Sequence, residues 1–347
     1  MCRITTLEKK DVRLNFQKRI ASSQTTLPIT CGVAFLFWFV QPSILQPTSF
    51  STPDYGLWQY VPTFFLKGYW PLSIGAFWAA VTVYLMAELN NAHVLLRVNS
   101  RMLSSMLAIL LGLIVMTHNF QPGTLVMLLS LLTLFPLFSS YQRPIPQLTF
   151  LTYLPLSVAS LFFPKLLWLV PVYWIILAYF RAISFRCFLS SILATLVPYW
   201  IYAGISVLTG TLPAFLMHTQ AVVQFQRFDY STVSPSHIFT YSFILLLFIT
   251  GAIDFYIHQF LDKTRVRIIY NTAIIYGLSI IIWIGLQPQY LPTLLPLLLL
   301  CTSILFGHFF TLTHTKFSHI YCIILMMFAV MLLVIQYLPP NILFPNS

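Results

Sequence analysis

The chain has 347 residues, of which 59% are apolar and 7% are charged, with 18 Lys and Arg against 7 Asp and Glu. A typical soluble domain carries about 25% charged residues, so this composition excludes an ordinary soluble globular protein. The net charge of +11 does not indicate nucleic-acid binding, because no basic surface interleaved with aromatic residues is present.

The apolar residues form continuous runs rather than short segments of alternating polarity. The run 291–310 is one example, and its length suits a transmembrane helix of about 20 residues. A membrane β-barrel would instead show segments of about 10 residues with a period of two. The sequence therefore predicts an all-α fold, a polytopic transmembrane helical bundle whose solvent is the lipid bilayer.

In chain order, a basic and polar N-terminal segment, residues 1–23, precedes a single multi-pass membrane domain, residues 24–347. No small-residue cleavage site follows the first apolar run, so we expect a retained first helix rather than a signal peptide. About eleven spans are predicted, within a range of about nine to twelve. The predicted spans are 24–43, 70–88, 103–117, 122–139, 148–163, 166–181, 187–208, 236–257, 268–286, 291–310 and 319–337.

The fifth and sixth predicted spans are short. Together they cover residues 148–181, and each falls below the length of about 18 residues that marks a clear membrane span. They are interpreted either as two full spans or as a re-entrant hairpin around Pro164. Both interpretations leave the sidedness of the other spans unchanged.

The few basic residues predict the orientation of the spans. With the N-terminus in the cytoplasm, fifteen Lys and Arg fall on cytoplasmic segments and three on outer segments, as the positive-inside rule requires. The C-terminus is then outside, and the cytoplasmic bases are expected to meet anionic lipid headgroups. The cytoplasmic bases are Arg3, Lys9, Lys10, Arg13, Lys18, Arg19, Arg97, Arg101, Arg143, Arg181, Arg186, Lys263, Arg265, Arg267 and Lys316, and the outer ones are Lys67, Lys165 and Arg227.

Three acidic residues are candidates for function because acids are scarce in this chain. Asp54 and Asp229 lie in the two long outer segments, where either is a candidate catalytic base, although Asp54 after a proline is also ordinary turn chemistry. Asp254 lies about one turn inside a span, where an unpaired ionisable group is costly. It is interpreted either as a proton or cation ligand or as an interfacial residue that is paired with Lys263 or Arg265 or reaches the water of the headgroup region.

Four arginines are candidates for binding a substrate or a lipid phosphate. Arg97 and Arg101 follow the polar end of the second span, near Glu88, and Arg181 and Arg186 bracket a cytoplasmic turn. Guanidinium groups bind phosphate by charge-assisted hydrogen bonds, and the same residues also serve to anchor the topology.

The sequence contains no motif for a metal, nucleotide or hydrolase site. The histidines do not cluster, and no HExxH, GxxxxGK[ST], GxGxxG or GxSxG pattern occurs. No metal site and no cofactor are therefore expected. An interfacial helix is predicted in the outer segment 210–235, and its His218 has the best case for a role among the histidines. The cysteines are interpreted as small buried apolar residues.

Two resemblances bear on function. The sequence Thr-Pro-Asp-Tyr around Asp54 is similar to the first outer loop of polytopic glycosyltransferases that use polyprenyl-phosphate sugars, although their paired acidic motif is absent. The segment 161–200, with Trp-Leu-Val-Pro-Val-Tyr-Trp and Pro-Tyr-Trp, and the stretch 96–101 resemble a family of uncharacterised polytopic inner-membrane proteins from Bacteroidetes. This second resemblance covers roughly the first two thirds of the chain. It implies a Gram-negative inner membrane and brings no established reaction.

Three functions remain open from the sequence. The first is a step in envelope glycan assembly with a lipid-linked substrate. The second is a non-catalytic membrane subunit of an envelope complex, with protein partners in the envelope. The third is a carrier or flippase for an amphipathic solute, for which the chain shows no inverted repeat and few intramembrane charges. Whether the protein is an enzyme is left open by the sequence.

Overall fold

The apolar runs of the sequence fold into α-helices, because a helix satisfies its backbone polar groups internally. The computed structural model describes residue 23 and residues 25–40, 56–97, 100–225, 235–313 and 316–337, and within these ranges it contains no β-strand. An all-α fold is therefore confirmed for this part of the chain. The helices are α1 (Thr26–Val40), α2 (Trp70–His93), α3 (Met102–Leu113), α4 (Pro122–Ser139), α5 (Pro146–Phe162), α6 (Val170–Tyr179), α7 (Phe185–Leu208), α8 (Leu212–Val223), α9 (Pro235–His258), α10 (Thr264–Leu286), α11 (Leu291–Leu312) and α12 (Lys316–Tyr337).

An α-helix lies in each of the predicted spans, and α8 forms where the interfacial helix was expected. A helical membrane bundle is thereby established, whereas a count of eleven crossings stays a prediction because several helices are short. In the described part of the chain, six helices are long and apolar enough to cross a membrane: Trp70–His93, Pro122–Ser139, Phe185–Leu208, Ser236–Leu261, Thr264–Leu286 and Pro288–Leu312.

The segment predicted as two spans or a hairpin turns at Pro164. Helix α5 has 17 residues and ends at Phe162, and a 3-10 turn (Pro164–Leu169) leads into α6, which has only 10 residues. Proline favours the first turn of a helix because its missing N–H is not needed there. Both helices are thus shorter than an ordinary span, as the sequence predicted, and the choice between two short spans and a re-entrant hairpin stays a prediction.

Helix α11 is the central helix of the bundle. It packs against α3, α4, α9 and α10, and 94% of its most apolar stretch is buried inside the protein. A helix that is apolar on all its faces suits this position. Small residues bring neighbouring backbones close to it: a Cβ added at Gly251 of α9 would lie 2.9 Å from the backbone carbonyl carbon of Leu305.

The helix ends meet at two ends of the bundle, of which we name one the basic end. There α2, α4, α9 and α11 finish and α3, α5 and α10 begin. Arg265 Nη2 donates to the carbonyl oxygen of Phe138 at 3.3 Å, and the backbone N–H of Gln142 donates to the carbonyl of Phe180 at 3.0 Å. The basic residues at this end, in the described loops and in the first turns of α7 and α10, are Arg97, Arg101, Arg143, Arg181, Arg186, Lys263, Arg265 and Arg267.

The opposite end is closed by contacts between the first helices. The backbone N–H of Phe120, in the connection between α3 and α4, donates to the carbonyl of Pro71 at 2.9 Å. Trp38 Nε1 of α1 donates to the carbonyl of Leu72 at 3.1 Å. These contacts hold α1, α2 and α3 together at one end. A cavity lined in part by small residues of α2 lies between the same three helices, and it is the candidate site.

Candidate functional site

A cavity with a volume of about 420 Å³ lies between α1, α2 and α3. The cavity exists because small side chains lie along one face of α2. Ala76, Ala80 and Ala87 follow this face at helical spacing and carry almost no side chain. Phe35 of α1 and Leu111 of α3 complete the apolar walls. The sequence analysis did not single out this alanine face, which reads as an ordinary apolar stretch of a span.

One end of this cavity is polar. Glu88 and Asn91 continue the alanine face of α2 toward the basic end, and Arg101 lies directly before α3. Within the part of the chain that the structure describes, the guanidinium of Arg101 makes no hydrogen bond or ion pair. The cavity therefore joins an apolar channel to a free cation, an arrangement that fits an amphipathic molecule with an anionic head.

Only Arg101 of the four arginines predicted from the sequence lines this cavity. Arg97 is occupied by an ion pair with Asp262. Arg181 and Arg186 are exposed at the basic end, and Arg181 adopts a left-handed backbone conformation (φ 55°) where the chain leaves α6. The structure does not bring these four side chains together into a single phosphate site.

A buried charged cluster at the basic end consists of Arg97, Asp262 and His308. Arg97 follows α2, Asp262 lies between α9 and α10, and His308 lies on α11, so the cluster ties three distant parts of the chain together. Arg97 Nε donates a hydrogen bond to Asp262 Oδ1, and His308 Nε2 lies 3.1 Å from Asp262 Oδ2. The side chains of Asp262 and His308 are 1% and 0% exposed, and that of Arg97 is 36% exposed.

The environment of Asp262 favours its ionised form. Burial by itself would raise the pKa of Asp262, but the hydrogen bonds and charges of His308 and Arg97 hold that pKa below its ordinary value of 3.8. Neither Asp262 nor His308 lines the cavity between α1, α2 and α3. The cluster, which we name the lock, therefore joins the loop after α2 and the loop before α10 to helix α11. No sequence motif marks it, because its members are far apart in the sequence.

Asp254, the intramembrane acid predicted from the sequence, is buried near the end of α9. Thr313 Oγ1 donates to its two carboxylate oxygens at 2.9 and 3.0 Å, and His258 Nδ1 lies 3.1 Å from Oδ1. The pairing with Lys263 or Arg265 that the sequence suggested is wrong. The chain after α11 returns close to Asp254 and supplies a hydroxyl, while Arg265 points toward the end of α4.

The two acids proposed for the outer segments, Asp54 and Asp229, lie outside the described residues. The basic N-terminal segment, apart from its last residue, also lies outside them. The structure therefore contributes nothing to these three predictions.

Two polar side chains are buried at the opposite end of the bundle. The Nζ of Lys165 contacts the hydroxyl of Tyr290 and lies 4.2 Å from the centroid of that ring. His218 of α8 packs against Tyr199 and Tyr202 with centroid distances of 5.7 and 5.6 Å, and no described residue hydrogen-bonds its nitrogens. The candidate His218 thus packs between aromatic rings and is not grouped with acidic side chains in the described structure.

His118 is buried in the connection between α3 and α4. Its ring stacks on Trp38 with centroids 4.1 Å apart, and Nε2 lies 3.1 Å from the carbonyl oxygens of both Leu111 and Gly112. Burial lowers the pKa of His118 to about 4, and the hydrogen bonds to these carbonyls oppose that effect only in part. The imidazole is therefore neutral at neutral pH, with Nε2–H as the donor.

We expect acidification to destabilise the folded chain through His118. Its pKa is lower in the folded chain than the ordinary value of 6.5, so its contribution to stability is complete above about pH 6.5 and is lost as the pH falls toward about 4. The thermal unfolding midpoint in detergent, measured across this range, should fall less steeply in His118→Phe than in the wild type. Equal slopes in the two proteins would contradict the assignment.

Within the described residues, no group of three or more His, Cys, Asp or Glu side chains is placed to hold a metal ion. Cys187 and Cys301 are buried, as the sequence predicted. The prediction is wrong for Cys31, which is exposed and lines the cavity between α1, α2 and α3.

The chain is an α-helical membrane protein with several helices long and apolar enough to cross a bilayer. No family model, curated protein or solved structure matches it.

Proposed function

We propose that this protein is a multi-pass protein of the cell inner membrane that binds a lipid-linked substrate in envelope glycan assembly. Eleven crossings with the N-terminus in the cytoplasm and the C-terminus outside would make the basic end the cytoplasmic face. The resemblance to the Bacteroidetes family of inner-membrane proteins supports this location. The observation that carries the proposal is the cavity between α1, α2 and α3, with apolar walls and a free arginine at one end.

The cavity is reached from the lipid-facing surface of the bundle. Phe35 of α1 and Tyr84 of α2 both line it, and they are 60% and 67% exposed. Exposed aromatic side chains in the spans of a membrane protein face hydrocarbon rather than water. A hydrocarbon chain can therefore enter sideways from the bilayer and lie along the alanine face of α2. Its polar head then lies at the basic end, where Arg101 is exposed.

The polar end of the cavity suits a phosphate joined to a sugar. Arg101 offers a charge that is unopposed by any ion pair within the described residues, and a guanidinium binds phosphate through charge-assisted hydrogen bonds. Glu88 and Asn91 add a carboxylate and an amide, which accept and donate hydrogen bonds to hydroxyl groups. This combination favours a lipid-linked sugar phosphate over an uncharged lipid.

The proposed head group lies at the basic end, whereas Asp54 and Asp229 belong to segments predicted on the other side. A transfer reaction that uses either acid as its base would therefore take place away from Arg101. The proposal is one of binding, and it leaves open whether this chain catalyses the step or presents its lipid to another protein of the envelope.

Arg101→Gln is expected to weaken the binding of a polyprenyl phosphate about tenfold, because it removes the one cation among the described residues that line the cavity while keeping a polar side chain. The measurement is native mass spectrometry of the purified full chain with added polyprenyl phosphate. Lys263→Gln is the matched control, since it removes an exposed charge at the same end and lines neither this cavity nor the one described below. Equal loss in both variants would refute the role of Arg101.

Ala80→Phe provides an independent check of the apolar wall. Ala80 is exposed and lines the cavity, so a phenyl group there obstructs the channel without entering the packed core.

In cells, deletion of the protein should remove a surface glycan, and Lys263→Gln but not Arg101→Gln should restore it. An unchanged glycan together with a stoichiometric co-purifying protein would favour the non-catalytic subunit instead, and lipid flux in proteoliposomes would favour the carrier.

A further inference from the structure

A second and larger cavity, of about 700 Å³, opens at the basic end. It lies between the ends of α2 and α4, the turn that follows α4 and the beginning of α10. Arg143 and Arg265 line it together with Gln142, and no Asp or Glu is among its lining residues. Two guanidinium groups facing one cavity without an acid create a strongly positive site.

Arg265 is held in place by neutral groups. Its Nη2 lies 3.1 Å from His93 Nδ1 and 3.3 Å from the carbonyl oxygen of Phe138. Both acceptors are uncharged, so the positive charge of the guanidinium is not neutralised by them. A guanidinium has five N–H donors, and these contacts use only the donors of one nitrogen. The remaining donors are available to a ligand in a fixed orientation.

The lock formed by Arg97, Asp262 and His308 also positions Arg265. Asp262 precedes Arg265 by three residues, and its contacts with Arg97 and His308 fix the loop from which α10 begins at Thr264. Arg265 is thus placed by a rigid loop rather than by a mobile one. Because the side chain is already held in place, less conformational entropy is lost when a ligand binds to it.

The other wall of the cavity is a constrained turn. Gln142 adopts a left-handed backbone conformation (φ 55°), which residues other than glycine rarely do. Its N–H donates to the carbonyl of Phe180 at 3.0 Å, and the N–H of Arg143 donates to the carbonyl of Ser140 at 2.8 Å. The guanidinium of Arg143 has no hydrogen-bond or ion-pair partner among the residues that the structure describes.

We infer that this cavity is a binding site for a phosphate ester, with Arg143 and Arg265 as the two cations that hold the phosphate group. A volume of about 700 Å³ falls within the usual range of small-molecule sites, roughly 300–1,000 Å³, and is larger than a bare phosphate needs. The organic part of the ligand therefore occupies the remainder, beside Gln142 and Ser139. The inference is independent of the lipid cavity, because Arg101 does not line this site.

The phosphate ester has two possible sources, a soluble metabolite or a lipid headgroup, and two probes separate them. The soluble probe is inorganic pyrophosphate, titrated by calorimetry into the full chain in detergent. The lipid probe is phosphatidic acid, measured by native mass spectrometry of the same protein released from nanodiscs. Arg265→Gln and Arg143→Gln are each expected to lower the affinity for the probe that binds by about tenfold or more.

Two control variants make the test specific. Lys263→Gln removes a charge two residues from Arg265 outside the cavity, and Arg186→Gln removes an exposed guanidinium at the same end that lines neither cavity; neither variant should change the binding of either probe. Loss in Arg143→Gln, which lies on an exposed turn, supports the site even if Arg265→Gln folds poorly. Unchanged binding of both probes in Arg143→Gln and Arg265→Gln, or equal loss in all four variants, would overturn the inference.

Discussion

Arg97→Gln is expected to destabilise the folded chain by about 3 kcal/mol, because it leaves the carboxylate of Asp262 buried without its main cation. Breaking one partner of a buried pair costs about 3–5 kcal/mol, and the lower figure applies because Arg97 is 36% exposed. The double variant Arg97→Gln with Asp262→Asn should recover part of this loss, since no buried charge is then left unpaired. Both are measured as unfolding free energies in mixed micelles.

The control and the pH dependence make this expectation specific. Lys263→Gln, an exposed charge beside Asp262, should cost less than about 0.5 kcal/mol. The pKa of Asp262 is lowered in the folded chain, so its contribution to stability is present above its ordinary value of 3.8 and is lost as the pH falls below it. The pH range in which Asp262 loses its contribution to stability lies below the range for His118, so the two effects can be measured separately. If Arg97→Gln costs no more than the control, the lock does not contribute to stability.

The second large effect is expected at Gly75 of α2. A Cβ added there would lie 2.1 Å from the carbonyl oxygen of His118. His118 cannot easily retreat, because its ring is stacked on Trp38 and held against two backbone carbonyls. Gly75→Val therefore has to separate α2 from the connection between α3 and α4, at a cost of about 3 kcal/mol. The observable is the thermal midpoint together with the monodisperse fraction after purification.

Gly204→Val on α7 is the matched control for Gly75→Val, since an added Cβ there meets nothing within 4 Å. Both variants place a β-branched residue in a helix, so their intrinsic helix propensities change equally. A difference between them isolates the close approach to His118. Equal midpoints would show that the connection between α3 and α4 does not press on α2.

The sequence predicts the helices well because hydrophobic length is a local property. The run that becomes α11, Leu291–Leu312, is visible in the sequence without knowledge of its neighbours. The position of Asp254 about one turn before the end of its helix is also a local property, and in the structure α9 ends at His258, four residues after Asp254. Its partner Thr313 is not predicted, because 59 residues separate them and only the packing of α9 against α11 brings them together.

The residues of the candidate sites are harder to predict from the sequence than the helices, because they depend on contacts between distant parts of the chain. Arg101 was singled out because arginine near a span end is a visible signal, yet three other arginines gave the same signal and line no part of the lipid cavity. Asp262 and His308 were missed because their 46-residue separation corresponds to no motif. The signal that could have found Asp262 is its position as an acid between two spans in a chain with only seven acids.

The two cavities share one helix end, and this arrangement keeps their tests distinct. Glu88 and Asn91 face the lipid cavity, whereas Ala92 and His93 line the phosphate-ester cavity. Adjacent residues of a helix do not face each other, so Asn91 and Ala92, which follow one another on α2, serve different sites. Substitutions that act on one cavity should leave the walls of the other intact.

The central position of α11 has a consequence for how the protein is made. Ribosomes synthesise the chain from its N-terminus, so α11 is made after α3, α4, α9 and α10, yet all four of these helices pack on it. Until α11 has entered the bilayer, the position that it occupies between those four helices has to be filled by lipid or by a membrane chaperone. Completion of the interior thus has to wait for α11, and a chain truncated before Leu291 would lack the central helix of its core.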